Sequence, residues 1–108
     1  ATEDSSGRHL DIANNVCSPS YAAYTYTRST STMVNFATGR VLDSNGAKQV
    51  YTLGGNGGDY QKWRLYYSDC FKTYVLMNQA TEKVLDSDGS GSVYTNGYNG
   101  GNFQKWSI

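Results

Sequence analysis

The feature that most constrains this chain is an internal repeat. Residues 36–63, FATGRVLDSNGAKQVYTLGGNGGDYQKW, align without a gap to residues 79–106, QATEKVLDSDGSGSVYTNGYNGGNFQKW, at an offset of 43. Seventeen of the 28 positions are identical. Asp43 pairs with Asp86, Tyr51 with Tyr94, Asn56 with Asn99 and Trp63 with Trp106. Identity this dense is not an accident of composition, and it makes the architecture a repeat architecture.

Each copy reads as a series of short strands separated by turn signals. The predicted strands are Thr32–Phe36 and Tyr74–Asn78, then Arg40–Asp43 and Lys83–Asp86, each of this second pair followed by an SNG or SDG turn. Gln49–Leu53 and Ser92–Asn96 come next, and Gln61–Leu65 and Gln104–Ile108 close the copies after Gly-rich turns. Four strands of about five residues match ordinary strand length. No window carries a 3.6-residue apolar period, so no long helix is expected.

A third, degenerate copy precedes the two clear ones. Gly7–Asp11 (GRHLD) matches Gly39–Asp43 (GRVLD), Val16 takes the place of Val50, and Tyr24–Arg28 stands where the QKW strand belongs, with Tyr26 near the Trp position. The polar start, ATEDSS, is expected to be frayed or weakly paired. The units run approximately 1–31, 32–73 and 74–108, forming one domain. Three units of four strands can close into a barrel with a hairpin cap, which removes open sheet edges.

Composition supports this reading and excludes others. Ten Tyr, twelve Gly and a single Pro, with 17% charged residues, suit a small β domain rich in turns. Nine basic and nine acidic residues cancel. A nucleic-acid binder would need a basic surplus, so nucleic acid is not an expected partner. No apolar run approaches the roughly 20 residues of a membrane span, and no membrane insertion is expected. No segment has the charged start and apolar centre of a secretory leader, so any such leader is expected to have been removed already.

The string LD…VYT…NGG followed by (Y/F)QKW resembles the ricin-B-type lectin family, whose hallmark is a Q-x-W in the fourth strand of each repeat. Here those are Gln61–Lys62–Trp63 and Gln104–Lys105–Trp106. Residues 38–63 look very much like a repeat of the small actinomycete lectins in that family. The resemblance implies an all-β fold, a β-trefoil of three four-stranded pseudo-repeats whose first repeat is degenerate and shortened. It implies sugar binding without catalysis, with one shallow pocket per repeat, no cofactor, and glycans or glycoproteins of mannose or galactose type as partners. High-mannose glycan is the first expectation.

Carried over by position, the second-repeat pocket comprises Asp43, Tyr51, Leu53, Asn56 and Tyr60. The third comprises Asp86, Tyr94, Asn99 and Phe103, with Asn96 in place of the family's Leu. In the first unit only Asp11 survives, and Cys17 stands where Tyr is expected, so that pocket is expected to be inactive. The resemblance also implies secretion, and with it a Cys17–Cys70 disulfide rather than two separate core thiols. Closing a loop of about 50 residues would stabilise the fold by up to ~4 kcal/mol.

The pocket residue types suit a sugar on chemical grounds. A carboxylate accepts strong hydrogen bonds from adjacent hydroxyls, an Asn amide offers a donor and an acceptor, and a Tyr ring covers the C–H face of a pyranose. Glycines after Asn56 and Asn99 let the backbone turn closely. Structural roles compete: Asp43 and Asp86 also suit turn capping, Leu42, Leu85, Trp63 and Trp106 suit a core, and Gln61 and Gln104 suit holding backbone at the repeat junction.

Catalysis finds little support. A glycosidase needs two acids roughly 5–9 Å apart, whereas Asp43 and Asp86 are repeat equivalents expected on different lobes. His9, the single histidine, occupies a position that is Val41 and Val84 elsewhere, and no GxSxG occurs. DSDGSGS from Asp86 lacks the acid that a calcium loop needs at its twelfth place, which is Gly97. No metal site is expected. Within binding functions, a targeting module or toxin subunit of a larger secreted protein and a protein-binding trefoil such as a protease inhibitor are the alternatives.

Overall fold

The computed structural model describes residues 2–3, 9–10, 25–68 and 71–108, with side chains described from residue 30 onward. Asp11, Val16, Cys17, Tyr24 and Cys70, and with them the expected disulfide and first-repeat pocket, lie outside the described residues. At the N-terminus, β1 (Thr2–Glu3) pairs with β2 (His9–Leu10) over two residue pairs, the short ladder expected of that polar start.

Strands β3 (Thr25–Ser31), β6 (Trp63–Ser68), β7 (Thr73–Asn78), β8 (Val84–Ser87) and β9 (Val93–Asn96) form one sheet in that spatial order. Strands β4 (Val41–Ser44) and β5 (Val50–Leu53) form a separate hairpin. All pairings among the described strands are antiparallel. The hairpins β4–β5 and β8–β9 repeat each other in register. Asp43 faces Tyr51 and Val41 faces Leu53 in one, and Asp86 faces Tyr94 and Val84 faces Asn96 in the other.

The core follows the apolar runs. The stretch Val75–Met77 in β7 is buried throughout, matching the unbroken YVLM run. A strand buried on both faces need not alternate. Trp63, Leu76 and Leu85 make one cluster, with Leu42 and Trp106 packed against it as partly buried members. Tyr66, Val75, Met77 and Val84 make a second.

Three predicted strands differ from the structure. Thr32–Phe36 is reduced to a single bridge between Val34 and Val41, because Asn35 folds the chain into a turn. Its Oδ1 accepts the N–H groups of Ala37 and Thr38 at 3.1 Å. Gln61–Leu65 and Gln104–Ile108 each begin pairing two residues later than expected, at Trp63 and Trp106. Their glutamines end 3₁₀ turns, Asp59–Gln61 and Asn102–Gln104, with the Gln61 N–H on the Gly58 carbonyl and the Gln104 N–H on that of Gly101, both at 3.1 Å. The last of these segments then contributes only the Tyr74–Trp106 bridge.

Candidate functional site

In the second repeat, the hairpin β4–β5 sets Tyr51 opposite Asp43, and the following 3₁₀ turn brings Gln61 onto the Asp43 carboxylate. Asp43 is 3% exposed. Its Oδ1 accepts the Ser44 N–H at 2.7 Å, and its Oδ2 accepts the Gln61 side-chain amide at 3.0 Å. Each oxygen therefore keeps a further lone pair for a ligand hydroxyl. The same hairpin and turn carry exposed apolar groups: Tyr51 and Leu53 on β5, and Tyr60 in the 3₁₀ turn.

Gln61 is the part that sequence reading placed only at a backbone junction. Its Nε2 also donates to the Gly54 carbonyl at 2.9 Å, and its Oε1 accepts the Asn56 N–H at 2.9 Å. One side chain thus fixes the carboxylate and the loop carrying Asn56. The available signal was a Gln 18 residues after an Asp in both copies.

Asn56 takes a narrower role than its chemistry allows. Its Oδ1 accepts the Gly58 N–H at 2.8 Å, leaving Nδ2 without a hydrogen bond among the described residues. The asparagine therefore presents donors outward. The two glycines that follow serve this turn. Gly57 sits at φ +72°, and a Cβ on Gly58 would lie 3.1 Å from Asn56 Oδ1. Tyr51 likewise commits its hydroxyl, donating to the Ser44 carbonyl at 3.0 Å, so its ring is the part left to a ligand.

The third repeat reproduces this network. Ser87 N–H meets Asp86 Oδ1 at 2.7 Å, and Gln104 Nε2 meets Asp86 Oδ2 at 3.0 Å and the Gly97 carbonyl at 3.0 Å. Gln104 Oε1 accepts the Asn99 N–H at 2.8 Å, Asn99 Oδ1 accepts the Gly101 N–H at 2.7 Å, and the Tyr94 hydroxyl reaches the Ser87 carbonyl at 3.0 Å. The rim differs. Phe103 is 61% exposed and has no hydroxyl where Tyr60 has one. Asn96 sends its amide to Asp86 Oδ2 at 3.4 Å, where Leu53 projects into solvent.

Both tryptophans are structural. Trp63 is fully buried and donates its indole N–H to the Leu42 carbonyl at 3.2 Å, and Trp106 donates to that of Leu85 at 3.0 Å. Asn78 is a second residue that sequence reading left in a strand. Fully buried, it donates to the Tyr60 carbonyl at 2.9 Å and so anchors the second-repeat turn from the third repeat.

These features define a repeat-built all-β domain of the trefoil class, with one carboxylate-centred hydrogen-bond network in each of two repeats. Residues 21–106 match the ricin-type β-trefoil lectin-like domain family, and the chain belongs to it. The fold is also similar to the crystal structure of the designed 3-fold symmetric protein ThreeFoil, at 24% identity and a TM-score of 0.66, over 94% of this chain and 90% of that one. Membership makes carbohydrate binding of the lectin type the general function of this domain.

Proposed function

We propose that this protein is a lectin for neutral glycans, with high-mannose chains as the first ligand, and that it binds them at the second- and third-repeat carboxylates. Secretion and the absence of a catalytic role belong to the same reading. The observation that carries it is the recurrence of an Asp–Gln–Asn network around a buried carboxylate whose Oδ1 keeps a free lone pair in both copies, although Asp86 Oδ2 also accepts from Asn96. A turn cap alone would need the Asp–Ser contact and would not need Gln61 tying the carboxylate to the loop that carries Asn56. Zero net charge suits a neutral ligand. Pairs of weak, shallow sites on one rigid domain gain by avidity.

The test is a glycan array with wild type, Asp43→Asn and Asp86→Asn. The asparagines keep an acceptor toward the Ser44 and Ser87 N–H groups and remove the charge. Loss of a charge-assisted hydrogen bond, at about 1.5–3 kcal/mol, is expected to weaken the second site about tenfold or more. Asp43→Asn is expected to cost more array signal than Asp86→Asn, because the third site has Phe103 and Asn96 on its rim. A wild type that binds no glycan at any density overturns the proposal.

A further inference from the structure

Strands β5 and β9 belong to different repeats and meet at one point. Gln49 and Tyr94 form an isolated antiparallel bridge, and the Thr95 N–H donates to the Lys48 carbonyl at 3.0 Å. At this junction lies a cleft of about 600 Å³, with residues 47–51 on one wall and 93–96 on the other. We propose that the cleft is an extended subsite for the inner sugar units of a glycan chain whose terminal unit sits on Asp86. The inference rests on the carbohydrate reading above and adds to it a second-repeat wall for the third-repeat site.

Continuity is the first argument. Tyr94 faces Asp86 across the β8–β9 ladder, Asn96 reaches Asp86 Oδ2, and both residues line the cleft. A ligand on the carboxylate therefore has the cleft beside it. Composition is the second. Tyr51, Val93 and Tyr94 offer apolar surface for pyranose C–H faces, and Gln49 and Asn96 bring amides that match hydroxyls as donor or acceptor. Gln49 uses its Oε1 to hold Asn45 at 2.8 Å, which leaves its side-chain Nε2 without a hydrogen bond among the described residues.

Two further observations concern readiness. Thr95 lines the same space and is fully buried, yet its Oγ1 has no hydrogen-bond partner among the described residues. Native buried hydroxyls are usually satisfied, and a ligand could reach this one only if the cleft wall parted. Lys48 sits at φ 68°, a left-handed conformation disfavoured for a residue with a Cβ. The bond from Thr95 to its carbonyl secures that conformation and with it the wall. The cleft is open to solvent, and its volume of about 600 Å³ exceeds the needs of one hexose ring.

The test follows amide resonances of isotope-labelled protein during titration with methyl α-mannoside, α1,2-linked mannobiose and mannotriose, and in parallel with methyl β-galactoside and lactose. In whichever series binds, the monosaccharide is expected to shift residues 84–87 and 99–103. Its longer homologue is expected also to shift residues 47–51 and 93–96, and to bind the third site about fivefold to tenfold more tightly, the gain from one or two added hydrogen bonds. Gln49→Ala is expected to remove that gain and leave monosaccharide binding unchanged. Equal affinity for short and long ligands, a gain with residues 47–51 unmoved, a gain unaltered in Gln49→Ala, or binding confined to Asp43 overturns the subsite. If no probe shifts residues around Asp43 or Asp86, the carbohydrate reading itself fails.

Discussion

The hairpins β4–β5 and β8–β9 are the same machine with different edges. Their interior bonds agree to within 0.2 Å: Ser to Asp, Gln to Asp, Gln to Gly, Asn to Gln, Tyr to Ser and Trp to Leu. Differences gather where solvent begins, at Leu53 against Asn96, Tyr60 against Phe103 and Asn45 against Asp88. The interior network is needed by the fold and tolerates little change. Rim residues make only local bonds, within their own turn or to the neighbouring carboxylate, so they are where two copies can diverge in ligand preference.

The largest expected break in the parallel is at the tryptophans. Trp63 is fully buried at the start of a six-residue strand, whereas Trp106 is partly exposed and held in a single bridge with Tyr74. Trp63→Ala should destabilise by about 3–5 kcal/mol and Trp106→Ala by clearly less, as read by chemical denaturation. Equal losses would show that the chain end is as firmly packed as the sheet centre.

Gln61→Ala and Gln104→Ala test the shared interior. Each removes a charge-assisted bond and leaves a carbonyl and an N–H to find new partners, so each should cost about 2–3 kcal/mol. The two costs are expected to be similar, and only Gln61→Ala should reduce glycan binding at Asp43. Denaturation and array signal together check both statements. A strong cost at one glutamine and none at the other would break the parallel at its core.

The smallest effect separates two turns. Asp88 Oδ1 accepts the Ser90 hydroxyl at 2.6 Å and the Ser90 N–H at 2.9 Å, and these bonds hold its carboxyl below the usual range. The folded state therefore binds its proton less readily than the unfolded chain. Its stabilisation is present above the unfolded carboxyl's pKa and is lost as pH falls through the lower, folded value. Asn45 holds the matching turn through Ala47 and Gln49 without a titrating group. Acidification should shift the Ser90 and Ser92 amides and not those of Ala47 and Gln49, and Asp88→Asn should abolish the response.

Legibility in the sequence followed the kind of interaction. The hairpins were readable because turn residues and paired strands are local, and because two copies confirmed each other. The Asp, Tyr and Asn positions were readable from chemistry and spacing. Gln61 was seen and its reach was not, since a bond spanning 18 residues leaves no local pattern. Asn35 was hidden for the opposite reason: a polar residue inside a run of Thr, Met, Val and Phe reads as strand, yet its side chain caps the turn that ends the run. The inter-repeat cleft was invisible because it depends on how two hairpins are placed, and periodicity carries no information about that.

The bond from Asn78 to the Tyr60 carbonyl has a consequence for how the chain is made. Every residue proposed for the second site has been synthesised by position 61, but the turn that carries Tyr60 lacks its buried anchor until residue 78 has emerged. A fragment ending with the second repeat would hold all the second-site chemistry with its aromatic turn unsecured. The repeats are therefore units of sequence but not units of assembly, and the second site is finished by the stretch of chain that follows it.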